Sequence, residues 1–257
     1  MRVVVGIPAR MGASRFPGKP MAKILGMPMV EHVYHRCALA KGVDEVFVAT
    51  CDDVIRDAVE SFGGNVYMTP PDIPRPGLRV AEACKAQSLA DDDIIVVVQG
   101  DEPLVDPGMI QLAIKPLLDD PTLQLGTLVS EANEAEWNDV NEVKVVADQK
   151  DRILFMSRSP IPSRTREEIG PRLKQVAIMP FRKKFLIEFQ TMEMTPLEIA
   201  ESVELLRAIE HGLEVRAIRS PFRSISVDTE PDRLEAEAAM AKDKYFPDYS
   251  GAARPKY

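Results

Sequence analysis

The chain has 257 residues, 45% of them hydrophobic and 28% charged, a globular composition with enough apolar residues for a substantial core. Its formal net charge of −8 disfavours nucleic acid or an anionic membrane as a partner, since both prefer basic surfaces. We expect neither a membrane-spanning helix nor a signal peptide, and the three scattered cysteines form no CxxC pair. These features predict a cytoplasmic protein without a structural zinc.

Apolar runs alternate with helical patterns along the first half of the chain. This alternation predicts a largely parallel sheet covered by helices on both faces. The predicted elements are, in order, a strand at residues 2–8, a helix at about 28–41, a strand at 44–50, a helix at 52–62, a short strand at 65–68, a helix at about 79–89 and a strand within 91–103.

The second half is less regular but continues the α/β pattern. The segments LGTLVS, NEVKVVAD, RILFMS, QVAIMPF, LEVRAI and SISVD are each predicted to form a strand, and residues 196–210 and 230–242 are predicted to form helices. No low-complexity linker divides the chain, so we predict a single domain with a lobe inserted at about 133–207. The tail, residues 245–257, is predicted to lie at the surface or to fray.

Cations cluster in the segment PARMGASRFPGKP, which follows the first predicted strand. The small residues 12–14 would let the backbone approach a ligand, while Arg10, Arg15 and Lys19 supply positive charge. Ligands of open α/β sheets bind beyond the carboxyl ends of the strands, so the segment suggests a phosphate-binding loop. It has neither the Walker spacing nor the dinucleotide spacing. The alternative is a solvated basic loop without a ligand.

Two carboxylates end apolar segments in a way that suits a magnesium ion. Asp101 follows the strongly apolar run IIVVV, and Asp228 ends the short run SISVD. Carboxylate oxygens are preferred magnesium ligands. Asp101 could instead cap the next helix, and Asp228 or Thr229 could cap the helix that begins near residue 230. Only convergence of the two carboxylates on one ion would favour the metal site over capping.

Taken together, the motifs resemble those of the CMP-KDO synthetases, the 3-deoxy-manno-octulosonate cytidylyltransferases. The segments IPARMGASRFPGKP, VQGDEP, VKVV, SRSPIP, ESVELLRAIEHG and VDT occur in the order and near the spacing of that family. The resemblance covers nearly the whole chain, from Arg2 to about Ala241. It implies a single Rossmann-like nucleotidyltransferase domain of α/β class, with a mostly parallel mixed sheet and an inserted dimerisation and acceptor lobe. It also implies a homodimer that uses CTP, Mg²⁺ and an acidic acceptor.

The resemblance assigns roles to residues at matching positions. Lys19, Arg10 and Asp101 are the expected catalytic residues, and Asp101 and Asp228 the expected metal ligands. The expected nucleotide-binding residues are Pro8, Ala9, Arg10, Ser14, Arg15, Lys19, Arg79 and Gln99. The expected acceptor-binding residues are Arg75, Gln99, Arg158, Gln175, Glu201 and Glu204.

Departures from the family pattern are concentrated on the acceptor side. The chain has DIPRPGLR where the family commonly has DHxSGTDR, and KQVAIMPF where it tends to have KHxGIYxY. Leu205 occupies a place often held by glutamine. We therefore expect Arg75, Gln175, Met179 and Leu205 to line an altered acceptor pocket that favours a smaller or more anionic acid.

Three functions remain open from the sequence. KDO is the default acceptor, and a modified keto-deoxy sugar or a phosphonate is its rival. A protein that binds CTP without turnover is the alternative from a different class.

Overall fold

Runs of valine and isoleucine form the central strands of the computed structural model, which describes residues 1–12, 16–163, 170–223 and 225–251. The strands are β1 Val3–Pro8, β2 Lys23–Ile24, β3 Met27–Pro28, β4 Glu45–Thr50, β5 Asn65–Met68, β6 Ile94–Val98, β7 Gly126–Glu131, β8 Lys144–Ala147, β9 Ile153–Ser157, β10 Leu173–Val176, β11 Ile178–Arg182 and β12 Arg216–Arg219. The helices are α1 Met29–Ala38, α2 Asp53–Ser61, α3 Pro76–Lys85, α4 Pro107–Asp119, α5 Glu134–Asn138, α6 Lys183–Thr191, α7 Pro196–Glu201, α8 Leu206–Glu210, α9 Glu230–Met240 and α10 Phe246–Ser250, with a 3₁₀ turn at Lys19–Met21.

The first sheet has the strand order β11-β6-β1-β4-β5. Strands β6, β1, β4 and β5 are parallel, whereas β11 is antiparallel to β6. Every residue of β1 and β6 is buried, as expected for central strands covered on both faces. The chain extends from β1 to β4 and β5 on one side and then crosses to β6 on the other. The carboxyl ends of β1 and β6 thus flank the switch point at which such sheets bind ligands.

A second sheet, with the order β12-β7-β10-β8-β9, lies beyond the first. Strands β12 and β7 are parallel, and the other pairs are antiparallel. Since β7 and β12 belong to it, this sheet extends beyond residues 133–207, the range predicted for the lobe. The predicted strand QVAIMPF is two strands, because β10 pairs in the second sheet and β11 pairs in the first. One residue, Ala177, separates them.

Several predicted elements differ from those observed. The helix predicted at 196–210 is broken into α7 and α8 by Ser202, whose φ of 53° is left-handed. The third helix of the first half is displaced toward the N-terminus, since Pro76 starts it and Lys85 ends it. The predicted strand SISVD is wrong for its described part, because residues 225–228 form no strand. The tail predicted to lie at the surface begins with the short helix α10, and of its residues only Tyr249 is buried among those described.

Apolar side chains form three clusters. Two large clusters cover the opposite faces of the first sheet, and one of them continues into the second sheet. The third is small and consists of Ile24, Met29, Val227, Ala236 and Met240. It joins the start of the chain to its last helices. No helix in the described ranges is long and apolar enough to cross a bilayer.

Candidate active site

A cleft of about 400 Å³ opens at the carboxyl ends of β1 and β6. It is lined by Pro8, Ala9, Arg10, Gly12, Phe16, Lys19, Pro20, Pro76, Gln99, Gly100, Asp101 and Asp228. Seven of these were predicted as site residues from the sequence. The other five are outside the list of predicted site residues, although three of them lie within the cationic segment and could have been included with it: Gly12, Phe16, Pro20, Pro76 and Gly100, the first three being those of the segment.

Lys19 is the centre of the polar contacts in the cleft. Its Nζ donates to Asp101 Oδ2 at 2.7 Å and to Asp228 Oδ1 at 2.9 Å. Burial alone would lower the pKa of the ammonium, but the two carboxylates outweigh this effect and the pKa of Lys19 is raised above 10.5. Lys19 therefore stays cationic at neutral pH. The geometry also demonstrates that Asp101 and Asp228, which are 127 positions apart in the sequence, can share one cation.

Local structure explains why these groups meet. The phosphate-loop segment closes on itself, since Gly18 N donates to Met11 O at 3.2 Å, and Gly18 has the left-handed φ of 74°. Lys19 follows at once in the 3₁₀ turn. On the other side, Val227 N donates to Asp101 O at 2.9 Å, which brings the backbone before Asp228 against the end of β6. Ser14 and Arg15 lie outside the described residues.

The ends of β1 and β6 approach each other closely beneath the cleft. A Cβ added to Gly100 would lie 2.8 Å from Pro8 O, so only glycine fits at this position. Gln99 precedes it and faces the cleft. Arg10 lies at the rim with an exposed side chain, and the next residue, Met11, donates its N–H to Asp52 Oδ2 at 2.8 Å. Asp52, the residue before helix α2, thus anchors the start of the loop.

Arg75 and Arg79 lie beside the cleft, in a recess of about 50 Å³ that shares Pro8 and Arg10 with it. The guanidinium of Arg79 is buried and donates to Pro70 O at 3.2 Å and Ile73 O at 3.0 Å. Its contacts hold the chain before α3, and its predicted contact with the nucleotide stays a prediction.

Arg75 pairs with a carboxylate of α7, and its expected preference for a more anionic acceptor stays a prediction. Its Nη1 lies 3.2 Å from Glu198 Oε1. Glu198 also accepts two hydrogen bonds from the fully buried guanidinium of Arg207, at 2.7 and 2.8 Å. Sequence reasoning missed Glu198. Glu198 and Arg207 are nine positions apart and lie on two different helices, α7 and α8. Helical periodicity in the sequence therefore does not indicate that they pair.

Glu204 lies next to this ion-paired group. Gln190 Nε2 donates to Glu204 Oε1 at 2.9 Å, and Arg207 Nη2 lies 3.5 Å from the same oxygen. Burial raises the pKa of the Glu204 carboxyl. A Cβ added to Gly77 would lie 3.2 Å from Glu204 Oε2, so this oxygen faces the first turn of α3, next to the cleft residue Pro76.

The remaining predicted acceptor residues are absent from the cleft lining of the described chain. Glu201 accepts from Ser157 Oγ at 2.7 Å and from Arg158 N at 2.8 Å, and Arg158 donates in turn to Glu201 O. Gln175 donates to Thr127 Oγ1 at 3.3 Å within the second sheet.

The proposed pocket-lining role of Met179 and Leu205 is wrong. Met179 is 6% exposed and Leu205 1% exposed, and both belong to the large apolar cluster between the two sheets. These two departures from the family pattern therefore fill the core of the protein.

Comparisons with known proteins agree with this geometry. The family model described as cytidylyltransferase matches residues 4–218. The chain is 42% identical over 245 residues to the 8-amino-3,8-dideoxy-manno-octulosonate cytidylyltransferase of Shewanella baltica (strain OS195), covering 95% of this chain and 100% of the relative. The corresponding enzyme of Shewanella halifaxensis (strain HAW-EB4) is also 42% identical, with the same coverage.

Solved structures show the same fold. A CMP:2-keto-3-deoxy-manno-octonic acid synthetase in complex with CTP superposes with a TM-score of 0.89 at 36% identity, covering 94% of this chain and 99% of the other. A 4-diphosphocytidyl-2C-methyl-D-erythritol synthase from Anaerococcus prevotii superposes with a TM-score of 0.63 at 15% identity, which indicates a shared fold alone. The resemblance inferred from the motifs is confirmed. The chain belongs to the cytidylyltransferase family and is a CTP-dependent nucleotidyltransferase.

Proposed function

We propose that the protein transfers CMP from CTP to a hydroxyl of a 3-deoxy-octulosonate sugar acid and releases pyrophosphate. The observation that carries the proposal is the convergence of Lys19, Asp101 and Asp228 at the switch point of the first sheet. Relatives that act on an acid of this class are 42% identical over their whole length. In the reaction, the acceptor oxygen bonds to the α-phosphorus, the bond to the pyrophosphate oxygen breaks, and the hydroxyl proton passes to solvent.

Two anions must meet in this reaction, so charge neutralisation and positioning are the main tasks of the protein. Lys19 and Arg10 offset the charge of the triphosphate, and Gly12 allows the backbone to approach it. Ser14 and Arg15 retain the same predicted role. No histidine lines the described part of the cleft, so we assign no histidine as general base.

Asp101 and Asp228 fit a magnesium ion. Magnesium is commonly held by one or two carboxylates together with substrate phosphates and water. When bound, the ion would polarise the α-phosphate and acidify the attacking hydroxyl. The carboxylates would hold it, and Lys19 would turn its ammonium toward the phosphates.

We infer that the acceptor is the 8-amino-3,8-dideoxy acid named for the relatives, rather than KDO or a phosphonate. The residues near α3 favour a cationic group. Glu204 Oε2 accepts no hydrogen bond from the described residues, and neither does the buried Oε1 of the neighbouring Gln190. Two acceptors without a donor suit an ammonium, which has three N–H groups to give.

Pyrophosphate release tests this function directly. With saturating CTP, kcat/KM is measured for the 8-amino acid, KDO, a small phosphonate and a blank. We expect the 8-amino acid to exceed KDO about tenfold to a hundredfold, because a hydrogen bond between charged groups is worth roughly 1.5–3 kcal/mol. Glu204→Gln should reduce this preference, whereas Glu210→Gln, an acid on α8 outside the cleft lining, should preserve it.

Each possible failure has a distinct meaning. Faster turnover of KDO would reject the amino-sugar assignment and keep the reaction class. CTP binding without pyrophosphate release for any acid would favour the protein that binds CTP without turnover.

We also propose that the enzyme is a cytoplasmic homodimer, as the family resemblance implies. Five large apolar side chains of the lobe are exposed: Val140, Leu154, Met194, Leu197 and Ile199. Exposed apolar surface of this kind often marks a subunit interface. Cys37, Cys51 and Cys84 are free, in keeping with a reducing compartment.

A further inference from the structure

The C-terminal helix α10 packs onto the elements that carry the phosphate loop. Tyr249 is completely buried, and its ring lies edge-on to His32 of α1, with centroids 5.7 Å apart. Phe246 stacks on the same imidazole at 5.8 Å and packs against the small apolar cluster. That cluster also contacts Phe16 of the phosphate loop and includes Val227, which precedes Asp228.

His32 joins α10 to the loop through two hydrogen bonds. Its Nε2 lies 2.8 Å from Ile24 O, and its Nδ1 lies 3.0 Å from the hydroxyl of Tyr249. A carbonyl oxygen only accepts, so Nε2 carries the proton and Nδ1 accepts from the tyrosine. Burial lowers the pKa of His32 to about 4, which keeps the ring neutral and this arrangement unchanged at neutral pH.

The strand residue Ile24 lies five positions after Lys19, and the backbone between them is held at both ends. Ala22 N donates to Lys19 O at 3.1 Å, and Met29 N donates to Ala22 O at 2.9 Å. The hydrogen bond from His32 to Ile24 adds a third fixed point just beyond this turn. The position of the Lys19 backbone therefore depends on a buried imidazole that Tyr249 orients.

We propose that α10 is a positioning element for the nucleotide site, with Tyr249 and His32 as a pair of positioning residues. They touch neither the cleft nor its carboxylates, and they act by fixing the turn that carries Lys19 and the cluster beneath Asp228. The inference rests on the proposed contact of Lys19 with the triphosphate. It gives a ligand-binding role to a helix near the C-terminal end of the chain.

The test compares two tyrosine-to-phenylalanine changes at α10. Tyr249→Phe keeps the ring and removes the hydroxyl that His32 accepts from. Tyr245→Phe is the matched control, because Tyr245 precedes the same helix but its hydroxyl lies 3.3 Å from Asp106 Oδ1, away from the loop. Binding of CTP is measured by calorimetry in magnesium without acceptor. We expect the dissociation constant to rise about tenfold for Tyr249→Phe and less than about twofold for Tyr245→Phe.

Kinetics separate positioning from general destabilisation. Tyr249→Phe should raise the KM for CTP, while the acceptor KM, measured at saturating CTP, stays at the wild-type value. A second pair tests the relay at His32: His32→Gln keeps a donor for Ile24 O, whereas His32→Leu removes it. The glutamine variant should bind CTP more tightly than the leucine variant.

Three results would overturn the inference. The inference would be overturned, with the proposed function intact, if Tyr249→Phe bound CTP with wild-type affinity. It would also be overturned if Tyr245→Phe lost as much CTP affinity as Tyr249→Phe, or if the two His32 variants bound CTP with equal affinity. Absence of CTP binding in the wild-type protein would overturn the proposed function and this inference with it.

Discussion

Lys19, Asp101 and Asp228 together give the cleft its charge pattern. The ammonium is shared between two carboxylates at hydrogen-bond distance, and all three side chains are between 15% and 31% exposed. Partial burial strengthens the attraction relative to water without isolating the group from a ligand. The arrangement suits a site that must hold a metal and a triphosphate together, because each side chain can exchange one partner for another of like charge.

Asp101→Asn and Asp228→Asn should each reduce kcat about a hundredfold or more. Loss of one negative charge from a two-carboxylate site weakens the hold on the metal and on Lys19, which lowers stabilisation of the charge that develops on the phosphates. Pyrophosphate release is measured over a range of magnesium concentrations. Glu230→Gln is the control, since it removes a more exposed carboxylate two positions from Asp228. Wild-type kcat and magnesium dependence in either asparagine variant would remove that residue from the site.

The start of helix α9 determines where Asp228 lies. Thr229 is the N-cap residue, and its side chain and that of Asp232 form a capping box. Asp232 Oδ2 accepts from Asp228 N at 3.0 Å, Thr229 N at 2.8 Å and Thr229 Oγ1 at 2.8 Å. From the sequence, capping of this helix was the alternative to metal binding for Asp228. Thr229 and Asp232 cap the helix instead. The carboxylate of Asp228 is left pointing into the cleft.

Asp232→Ala should therefore affect both stability and activity. Loss of the capping box should cost about 1 kcal/mol, measured by urea denaturation. It should also lower kcat, because the backbone of Asp228 loses an anchor. Asp232→Asn retains an acceptor oxygen and should lie between the alanine variant and the wild type in both measurements. A loss of stability in Asp232→Ala with unchanged kcat would show that capping does not position Asp228.

Over the whole molecule, two sheets divide the tasks. The first sheet presents the cleft proposed to bind the nucleotide, and the second sheet, with α7 and α8, carries the buried acidic and basic side chains proposed to lie on the acceptor side. The two are connected tightly, because β10 and β11 are separated by one residue but pair in different sheets. We expect this one-residue connection to limit movement of the proposed acceptor residues relative to the switch point.

The proposed dimer gives a prediction for the assembled molecule. Light scattering should give the wild-type protein twice the chain mass of 28.5 kDa. Ile199→Asp, at a side chain that is 61% exposed, should shift the mass toward the monomer, since a charge buried in an apolar interface is costly. Leu234→Asp is the control on α9, outside the lobe, where the leucine is 53% exposed. A monomeric wild type, or an Ile199→Asp variant that stays dimeric, would contradict the assignment.

Local patterns in the sequence were enough to predict β1, β4, β5, β6 and the loop after β1. The runs of β1 and β6 are apolar throughout, and the small and cationic residues of the loop follow β1 directly in the chain. The cleft contains Pro8, Ala9, Arg10, Lys19, Gln99, Asp101 and Asp228, as predicted from motifs and resemblance. The strands and the loop depend on neighbours within a few positions, whereas the meeting of Asp101 with Asp228 was predicted from the resemblance.

Only the tertiary structure decided the features that depend on distant partners. Tyr249 is buried because His32, more than 200 positions earlier, offers it a ring and a hydrogen bond. Met179 and Leu205 are core residues because two sheets meet around them, and Arg75 forms an ion pair with Glu198. Hydrophobic periodicity reports which side of an element is buried, but not what lies opposite. A side chain packs in the core, forms an ion pair or lines a site according to the residue that lies opposite it. That residue is often distant in the sequence, so only the folded structure identifies it.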